Sequence, residues 1–174
     1  MVSVLNDSQI EKAVIQSYEL ATNSKDPSTQ NGAVLLDGTG WEVGVGWNHF
    51  PSGVSDDHWT GPKEAKYARV VHAEVAAIID AARRNGEAIG GVLVCGWAAC
   101  SNCAKHIADT GIKELIRHTF VNSGGDVDSH WYNDVLLGDE IMHEAGVDII
   151  EVDLVPYDIE LRRNGKVWNP SASE

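Results

Sequence analysis

The sequence lacks any long apolar run, and this absence excludes a membrane-embedded protein. No stretch of the 174 residues approaches the ~18 consecutive apolar residues of a membrane-spanning helix. The first seven residues contain neither a basic cluster nor an apolar run, so nothing resembles a signal or transit peptide. We therefore expect a cytoplasmic protein with no membrane partner. Its 43% hydrophobic and 22% charged residues are typical of a folded globular protein.

Positive charge is scarce. Thirteen Lys and Arg residues face 26 Asp and Glu residues, which gives a formal net charge of −13 at pH 7. Proteins that bind long nucleic acids neutralise phosphates with basic clusters, and the sequence has no run of Lys or Arg. We therefore expect no long DNA or RNA partner. A local basic pocket for a single phosphate is compatible with this charge.

Cysteine is also scarce, and its placement is informative. The three cysteines, at positions 95, 100 and 103, are too few and too clustered for the disulfide framework of a secreted protein. Their clustering indicates a metal or redox site. Cys95 lies in an apolar run and is most simply a buried small hydrophobic residue.

Hydrophobic periodicity predicts one domain in which helices and strands alternate. Ser8 and Glu11 have the spacing of a capping box for a first helix, which must end before Asp26-Pro27. The other predicted elements are a hairpin of strands 32–36 and 41–47, a loop over 48–66, a helix from 67 to about 84, a strand over 91–97, a helix over 102–109, a strand over 112–121, a helix over 130–145 and a strand over 147–152. This order implies an α/β fold with a partly parallel sheet covered on both faces. We assign residues 1–168 to a single domain and expect 169–174 to be a flexible tail.

Two short motifs carry the chemistry. His72 and Glu74 form an H-x-E motif at the start of a helix, and Cys100 and Cys103 form a C-x-x-C motif where a strand runs into a helix. Either motif alone is weak, but together they match the zinc deaminase signature. Two thiolates and one imidazole hold a tetrahedral Zn²⁺ with one position open to water, whose pKa then falls toward ~7. Glu74 would lie beside that water as the general acid and base.

Two other interpretations of these residues stay open at this point. A fourth protein ligand would close the zinc site and make it structural, although Glu74 would then have no role. Candidates for that ligand are Cys95, His49, His58 and His106. Alternatively, Cys100 and Cys103 could form a redox pair, which would leave His72 and Glu74 unexplained.

Beyond the zinc motifs, the sequence resembles the deoxycytidylate deaminases of the cytidine deaminase superfamily from about residue 23 to residue 150. The matching segments are SKDPSTQNGA (24–33), GWNHFP (46–51), GVSDD (53–57), SNCAK (101–105), TGIK (110–113) and EAGV (144–147). The resemblance implies a three-layer α-β-α, cytidine-deaminase-like fold with a five-stranded mixed sheet. It also implies hydrolytic deamination of dCMP to dUMP by an intracellular homo-oligomer, commonly a hexamer.

The same resemblance implies the substrate-binding residues. Asn48 would hold the sugar hydroxyl, and the loop from Lys25 to Asn31 would lie near the nucleotide. The other candidates for substrate contacts are Trp47, His49 and Ala73.

Departures from the family pattern concern the substrate. The proline that precedes the first zinc cysteine is replaced by Ala99, and the glycine that follows Asn48 is replaced by His49. Asn23 occupies the position before SKDP where the family commonly has an arginine. Arg117 occupies the position after GIK where the family commonly has a tyrosine. We hypothesise that Arg117 binds the phosphate in place of the arginine that Asn23 replaces, because its planar donor fork matches phosphate. The alternatives to dCMP are a modified cytosine nucleotide, another nucleobase, or nucleotide binding by a zinc module without turnover.

An acidic loop is a candidate for a second site. Asp56, Asp57 and His58, together with His49, could bind a second metal, since some relatives carry an extra zinc in this loop. The simpler interpretation is a solvated loop whose carboxylates cap turns. Family members are often regulated by dCTP and dTTP, so an effector nucleotide triphosphate with Mg²⁺ is a further candidate ligand.

Overall fold

The computed structural model describes residues 3–84, 88–118, 130–153 and 158–170. Its central element is a five-stranded mixed sheet with the strand order β2-β1-β3-β4-β5. The strands are β1 (Gly32–Leu36), β2 (Glu42–Trp47), β3 (Val92–Cys95), β4 (Glu114–His118) and β5 (Asp148–Val152). β1 runs antiparallel to β2 and β3, whereas β3, β4 and β5 are parallel.

Helices cover both faces of the sheet. The described helices are α1 (Asp7–Ala21), α2 (Lys63–Tyr67), α3 (Ala73–Arg83), α4 (Ser101–Thr110) and α5 (His130–Glu144). All except the short α2 contribute to this cover. Side chains of α1 form one apolar core with alternate strand residues such as Val34 and Val94. Side chains of α3, α4 and α5 form a second core with the intervening residues, such as Leu35 and Leu93. The predicted three-layer α-β-α fold with a five-stranded mixed sheet is confirmed.

Burial on both faces explains why β1 and β3 are continuous apolar runs. β4 is equally buried but contains Glu114, Arg117 and His118, whose side chains make polar contacts. Every residue of β1, β3 and β4 is buried, because neighbouring residues on a strand point to opposite faces and both faces carry helices. β2 is an edge strand and is only partly buried.

Two glycines of β2 bring α3 into direct backbone contact with the sheet. A Cβ atom on Gly44 would lie 2.3 Å from the carbonyl oxygen of Ala77, and one on Gly46 would lie 2.4 Å from that of Ala73. Both distances are too short for real atoms, so a side chain at either position would displace α3. The position of the N-terminus of α3 therefore depends on these two glycines.

The first helix begins earlier than the sequence predicts. Its N-cap is Asn6, whose side chain accepts a hydrogen bond from the backbone of Gln9, while the Gln9 side chain accepts one from the backbone of Asn6. The predicted capping box of Ser8 and Glu11 was therefore wrong. Asn6 and Gln9 have the same three-residue spacing and form the capping box two residues earlier in the chain. The helix ends at Ala21, ahead of Asp26-Pro27 as predicted.

Residues 48–84, predicted as a loop followed by one helix, contain three separate helical elements. A 3₁₀ turn spans Asp56–Trp59, α2 ends at Tyr67, and α3 begins only at Ala73. The prediction of a helix from Tyr67 was wrong because Val71 pairs with His49 through two backbone hydrogen bonds of 3.1 and 2.8 Å. Residues 119–121, the end of the predicted strand 112–121, lie outside the described residues.

A C-terminal hairpin was not predicted. It consists of β6 (Leu161–Arg163) and β7 (Lys166–Trp168), joined by Asn164-Gly165 with φ values of 51° and 77°. The hairpin contacts the loop between α1 and β1, since Gly165 N donates to Ser28 O and Gln30 N donates to Arg162 O. Within the predicted tail, Pro170 is buried and Asn169 donates to Asp158, and residues 171–174 lie outside the described residues.

No helix in the described parts of the chain is both long enough and apolar enough to cross a bilayer.

Candidate active site

The N-termini of α3 and α4 form the framework of the site. His72 is the N-cap residue of α3 and Cys100 is the N-cap residue of α4, both with extended backbone conformations. N-cap side chains commonly accept a hydrogen bond from the first turn of their own helix, but neither of these does so. Both side chains are directed instead toward each other and toward Cys103 in the first turn of α4.

The three predicted metal ligands come together with the spacing that zinc needs. His72 Nδ1 lies 3.5 Å from the sulfurs of both Cys100 and Cys103, and all three ligand atoms lie within 4.8 Å of one another. Tetrahedral zinc with bonds of ~2.3 Å to sulfur and ~2.1 Å to nitrogen separates such atoms by about 3.6 Å. One nitrogen and two sulfur donors are also a ligand set that zinc prefers. The residues therefore fit a zinc ion.

The described residues contain no fourth protein ligand for this cluster. Across the four described ranges, it is the only group of at least three His, Cys, Asp or Glu ligand atoms close enough to share a metal. Cys95 is fully buried in the core, as predicted, and its thiol contacts the Asn31 side chain instead. The closed structural zinc site therefore finds no support in the described residues.

The cysteine pair is electrostatically asymmetric. A hydrogen bond from Cys103 lowers the pKa of the Cys100 thiol to about 4, and a contact with His72 contributes to this shift. The same bond raises the pKa of Cys103, and burial raises it further. Burial acts to lower the pKa of His72, but the Cys100 contact and the Glu74 charge outweigh it, so the net direction is upward. A thiolate at Cys100 is therefore readily available to a metal.

Glu74 lies beside these ligands as a buried carboxyl group. It belongs to the first turn of α3 and is 2% exposed. Its Oε2 atom has no hydrogen-bond partner in the described part of the chain. Burial raises the pKa of Glu74 above the usual range for a glutamate. A buried carboxyl oxygen without a partner costs free energy, which is expected where a ligand or water completes the site.

Asn48 lies at the same helix end and links it to the loop that follows α1. Its Oδ1 atom accepts a hydrogen bond of 3.0 Å from Ala73 N, between His72 and Glu74 in the chain. Its Nδ2 atom donates to Thr29 O at 3.2 Å. The Asn48 side chain therefore replaces the missing N-cap interaction of α3 and has a defined amide orientation.

Asp134 performs the corresponding role for α4, and no signal in the sequence pointed to it. Its carboxylate accepts hydrogen bonds from Ser101 Oγ at 2.6 Å and Ser101 N at 3.3 Å. Gly138 lets α5 approach closely, since a Cβ there would lie 2.6 Å from the carbonyl oxygen of Ala99. Both contacts fix the segment that carries Cys100. No local pattern predicts them, because α5 follows α4 only after a long intervening segment.

Two aromatic residues that sequence reasoning missed also border the metal ligands. Trp131 lies edge-on to His72, with 6.0 Å between ring centroids, and edge-on to Tyr67 at 5.5 Å. Both Trp131 and Tyr67 are substantially exposed. An exposed aromatic pair beside a buried ligand set indicates one side of a binding pocket.

The other predicted substrate residues have varied surroundings. Ala73 is buried at the start of α3. The ring of His49 contacts the Trp47 carbonyl oxygen through Nδ1 at 2.8 Å, and the two rings are tilted with centroids 6.2 Å apart.

The two ends of the loop from Lys25 to Asn31 differ in exposure. Lys25 is exposed and pairs with Asp56 at 2.6 Å. Asn31 is buried and donates to the Cys95 sulfur at 3.2 Å.

The acidic loop does not have the arrangement of a second metal site. Asp56 pairs with Lys25, and Asp57 accepts a hydrogen bond from Ser55. His58 packs against the ring of Phe50. The expectation of a second metal here is not supported, since these side chains make separate local interactions and form no metal-sized cluster within the described ranges. The simpler interpretation, a loop whose carboxylates cap turns, agrees with these contacts.

Arg117 does not have the surroundings of a phosphate ligand. Its Nη1 and Nη2 atoms donate to Asp139 at 2.7 and 3.0 Å, and its Nε and Nη2 atoms donate to Glu151 at 3.0 and 2.8 Å. Burial acts to lower the pKa of Arg117, but these carboxylates raise it overall. The phosphate hypothesis for Arg117 is therefore not supported, because its donor fork is already occupied. The residue joins β4 to α5 and β5.

Comparison with known proteins agrees with the geometry. Residues 7–119 match the family described as the cytidine and deoxycytidylate deaminase zinc-binding region. An "uncharacterized deaminase in luxG 3′ region" of Aliivibrio fischeri is 36% identical over 149 residues, which cover 85% of this chain and 95% of that protein. The deoxycytidylate deaminases of Mus musculus and Homo sapiens are 38% and 37% identical over 102 residues. Those alignments cover 55% of this chain and 56% of each mammalian protein.

A solved structure shows the same fold. The dCMP deaminase of cyanophage S-TIM5 in its apo form aligns with a TM-score of 0.67 and 22% identity, over 85% of this chain and all of the phage chain. The same phage enzyme in complex with dCMP and dUMP aligns with a TM-score of 0.63 and 24% identity, over 85% of this chain and 99% of the phage chain. The family match spans more than half of the chain and includes the ligand cluster. The chain therefore belongs to the zinc-binding cytidine and deoxycytidylate deaminase family.

Proposed function

We propose that this protein is a zinc-dependent deaminase that converts dCMP and water to dUMP and ammonia. One observation carries the proposal: a buried glutamate with an unpartnered oxygen lies beside one histidine and two cysteines that fit zinc. The similarity to mammalian deoxycytidylate deaminases supports dCMP as the substrate, although the alignments span only about half of each mammalian chain.

The residues of the cluster have distinct roles in this reaction. His72, Cys100 and Cys103 would hold the zinc ion, which when bound lowers the pKa of a water molecule toward ~7. Glu74 accepts the proton of that water and delivers it to ring nitrogen N3 while a C–O bond forms at C4. Glu74 then takes the proton of the hydroxyl group now bound to C4 and transfers it to the amino group. The C4–N bond breaks, the C4 carbonyl forms and ammonia leaves.

The raised pKa of Glu74 suits this shuttle. A carboxyl group that must both accept and donate a proton near neutral pH works best when its pKa lies closer to that pH than an ordinary glutamate's. Burial supplies this shift. The position of Glu74 in the first turn of α3, two residues after His72, keeps the group beside the ligand cluster.

The substrate contacts follow from the family resemblance and stay proposals. We assign the sugar hydroxyl to Asn48 and the surroundings of the base to Trp47, His49 and Ala73. The loop from Lys25 to Asn31 would face the nucleotide, with Lys25 as its cation. A cytoplasmic location, a homo-oligomeric state and regulation by a nucleotide triphosphate with Mg²⁺ are further predictions from the sequence.

A substrate panel tests the proposal. Purified protein with its zinc content measured is assayed for ammonia release from dCMP, dCTP, deoxycytidine, 5-substituted dCMP and dAMP. We expect dCMP to be the best substrate and at least one zinc per chain. Turnover of unphosphorylated nucleosides alone would refute the monophosphate assignment, and a preference for 5-substituted dCMP would favour a modified nucleotide. A Glu74→Gln variant that keeps both zinc and full turnover would refute the mechanism.

A further inference from the structure

Lys66 carries a buried charge that the proposed reaction does not use. Lys66 lies near the end of α2, and its side chain is only 8% exposed. Its Nζ atom is 2.6 Å from Asp26 Oδ1, whose side chain is 5% exposed. The ammonium group also lies over the rings of Trp59 and Tyr67, 5.9 and 5.6 Å from their centroids. Lysine is rarely buried this fully, because removal of its charge from water is costly.

This enclosure argues against a direct role in ligand binding. The ammonium group faces one carboxylate and two aromatic rings, so it is not placed to reach a phosphate in solution. The exposed pair of Lys25 and Asp56 has the same N–O distance of 2.6 Å and starts from the same loop. The two pairs differ in burial, and only the buried one is strongly shielded from solvent screening.

Asp26 transmits the position of Lys66 to the loop that follows α1. The Oδ1 atom that contacts Lys66 also accepts hydrogen bonds from Ser28 N at 2.8 Å and Thr29 N at 3.3 Å. These bonds fix the turn that determines the direction of the Thr29 carbonyl group. Thr29 O in turn accepts the hydrogen bond from Asn48 Nδ2.

Asn48 completes the path to the active site. Its Oδ1 atom accepts from Ala73 N, next to both His72 and Glu74 in the chain. These two bonds use one of its two N–H donors and one of its two oxygen lone pairs. The remaining donor and lone pair match a hydroxyl group, which both accepts and donates. The Thr29 carbonyl and the Ala73 amide also allow only one orientation of the Asn48 amide.

We propose that Lys66 is a positioning residue for substrate binding. Its ammonium group holds Asp26, and through the Thr29 carbonyl it keeps the Asn48 amide in the orientation that the nucleotide sugar requires. This inference rests on the proposed function, in which Asn48 holds the sugar hydroxyl. It adds a buried ion pair as the support on which that contact depends.

A Lys66→Met variant of the zinc-loaded 174-residue chain tests the inference. Methionine is unbranched and fills most of the buried volume without the charge. We expect KM for dCMP to rise about tenfold, the equivalent of one hydrogen bond, while kcat changes much less. Zinc content should equal that of the wild type. The preference of the wild type for dCMP over 2′,3′-dideoxy-CMP, which lacks the hydroxyl, should largely disappear.

A second variant separates positioning from folding. In Asp26→Asn/Lys66→Met both buried charges are removed, and the asparagine introduced in place of Asp26 keeps an oxygen that can accept from Ser28 N and Thr29 N. We expect this variant to unfold near the wild-type temperature but to keep a raised KM. A wild-type KM in this variant, or in Lys66→Met itself, would overturn the inference.

Arg84→Met is the matched control. Arg84 also forms ion pairs, with Asp80 and Glu42, but it lies at the opposite end of α3 and is about half exposed. We expect its KM to stay within about twofold of the wild type, because exposed pairs contribute little. An equal rise in KM for Arg84→Met and Lys66→Met would also contradict the proposal.

A further readout distinguishes failure of this inference from failure of the proposed function. If the wild type does not deaminate dCMP, the proposed function fails, and the side-chain amide signals of Asn48 in an NMR spectrum then decide the positioning role. These signals should shift in Lys66→Met and not in Arg84→Met. Unchanged Asn48 signals in both variants would show that Lys66 does not position Asn48.

Discussion

Two clusters of polar side chains in this protein differ in whether their hydrogen bonds are satisfied. Around Arg117, four hydrogen bonds join one guanidinium to two carboxylates. Around Glu74, one carboxyl oxygen has no partner among the described residues, and three ligand atoms face one another. Sequence reasoning assigned both clusters to substrate or metal. The difference indicates that, of these two clusters, the one around Glu74 is the candidate site for a ligand.

The contrast has a thermodynamic basis. A buried polar atom without a partner lowers stability, so it persists where a bound group completes it or where the chemistry needs it. A fully paired buried ion network adds little net stability over apolar residues, but loss of one partner exposes the full desolvation cost. The two clusters should therefore respond oppositely to mutation, one in activity and the other in stability.

The largest expected effect is on activity, in Glu74→Gln. Loss of the general acid and base should lower kcat/KM on the order of 10²–10⁴-fold. The thermal unfolding midpoint should not fall, because the glutamine removes a buried acid without breaking a network. Ammonia release, zinc content and calorimetry measure these quantities. A marked fall in the midpoint with activity preserved would give Glu74 a structural role instead.

Arg117→Met should show the reverse pattern. Removal of the guanidinium leaves two carboxylates together without their counter-ion. Because their side chains are 26% and 40% exposed, solvent screens part of the loss, and the free energy of unfolding should fall by about 1–2 kcal/mol. KM for dCMP should not change once the folded fraction is accounted for. Arg117→Lys, which keeps the charge but not the planar fork, is the control and should lose less stability. A selective rise in KM for phosphorylated substrates would restore the phosphate hypothesis.

Removal of zinc should expose a chemical difference between the cysteines. The pKa of Cys100 is about 4, whereas burial holds the pKa of Cys95 well above the usual range. After zinc is stripped by a chelator near neutral pH, iodoacetamide should therefore modify Cys100 on the order of tenfold faster than Cys95. Mass spectrometry of the peptides gives both rates. Zinc-loaded protein, the control, should resist modification at Cys100.

Tyr18→Phe is expected to have the smallest effect. The Tyr18 hydroxyl and His118 Nδ1 are 2.8 Å apart in the core on the α1 face of the sheet, away from the metal ligands. Loss of this satisfied bond should cost about 1 kcal/mol of unfolding free energy in a urea titration. Turnover of dCMP should stay at the wild-type level. A loss of activity without a loss of stability would contradict the division between the two kinds of cluster.

The metal cluster could be predicted from the sequence because its signals are local. His72 and Glu74 are two residues apart, Cys100 and Cys103 are three apart, and each pair lies at a helix start. The five strands of the main sheet were also predicted within a few residues, since each contains a short group of apolar residues bounded by polar or turn-forming ones. The family resemblance then supplied the assignment of Asn48, whose position beside Ala73 agrees with it.

Other features depend on contacts between distant segments and could not be predicted in this way. Asp139 and Glu151 lie 22 and 34 residues from Arg117, and no spacing rule connects them. Asp134 has the same difficulty. The C-terminal hairpin was missed for another reason, because its two strands have only three residues each. Its Asn164-Gly165 turn is a recognised hairpin signal and could have revealed it.

The contact between β2 and α3 bears on how mutational scans of this enzyme would be interpreted. Gly44 and Gly46 contribute no chemical group, but they let α3 rest on the strand, and His72 immediately precedes that helix. An alanine at either position should shift the imidazole away from the two sulfurs. A screen for activity would then score both glycines as severely as the metal ligands. Only a parallel measurement of zinc affinity and of chemical rate would separate residues that perform the reaction from residues that leave room for it.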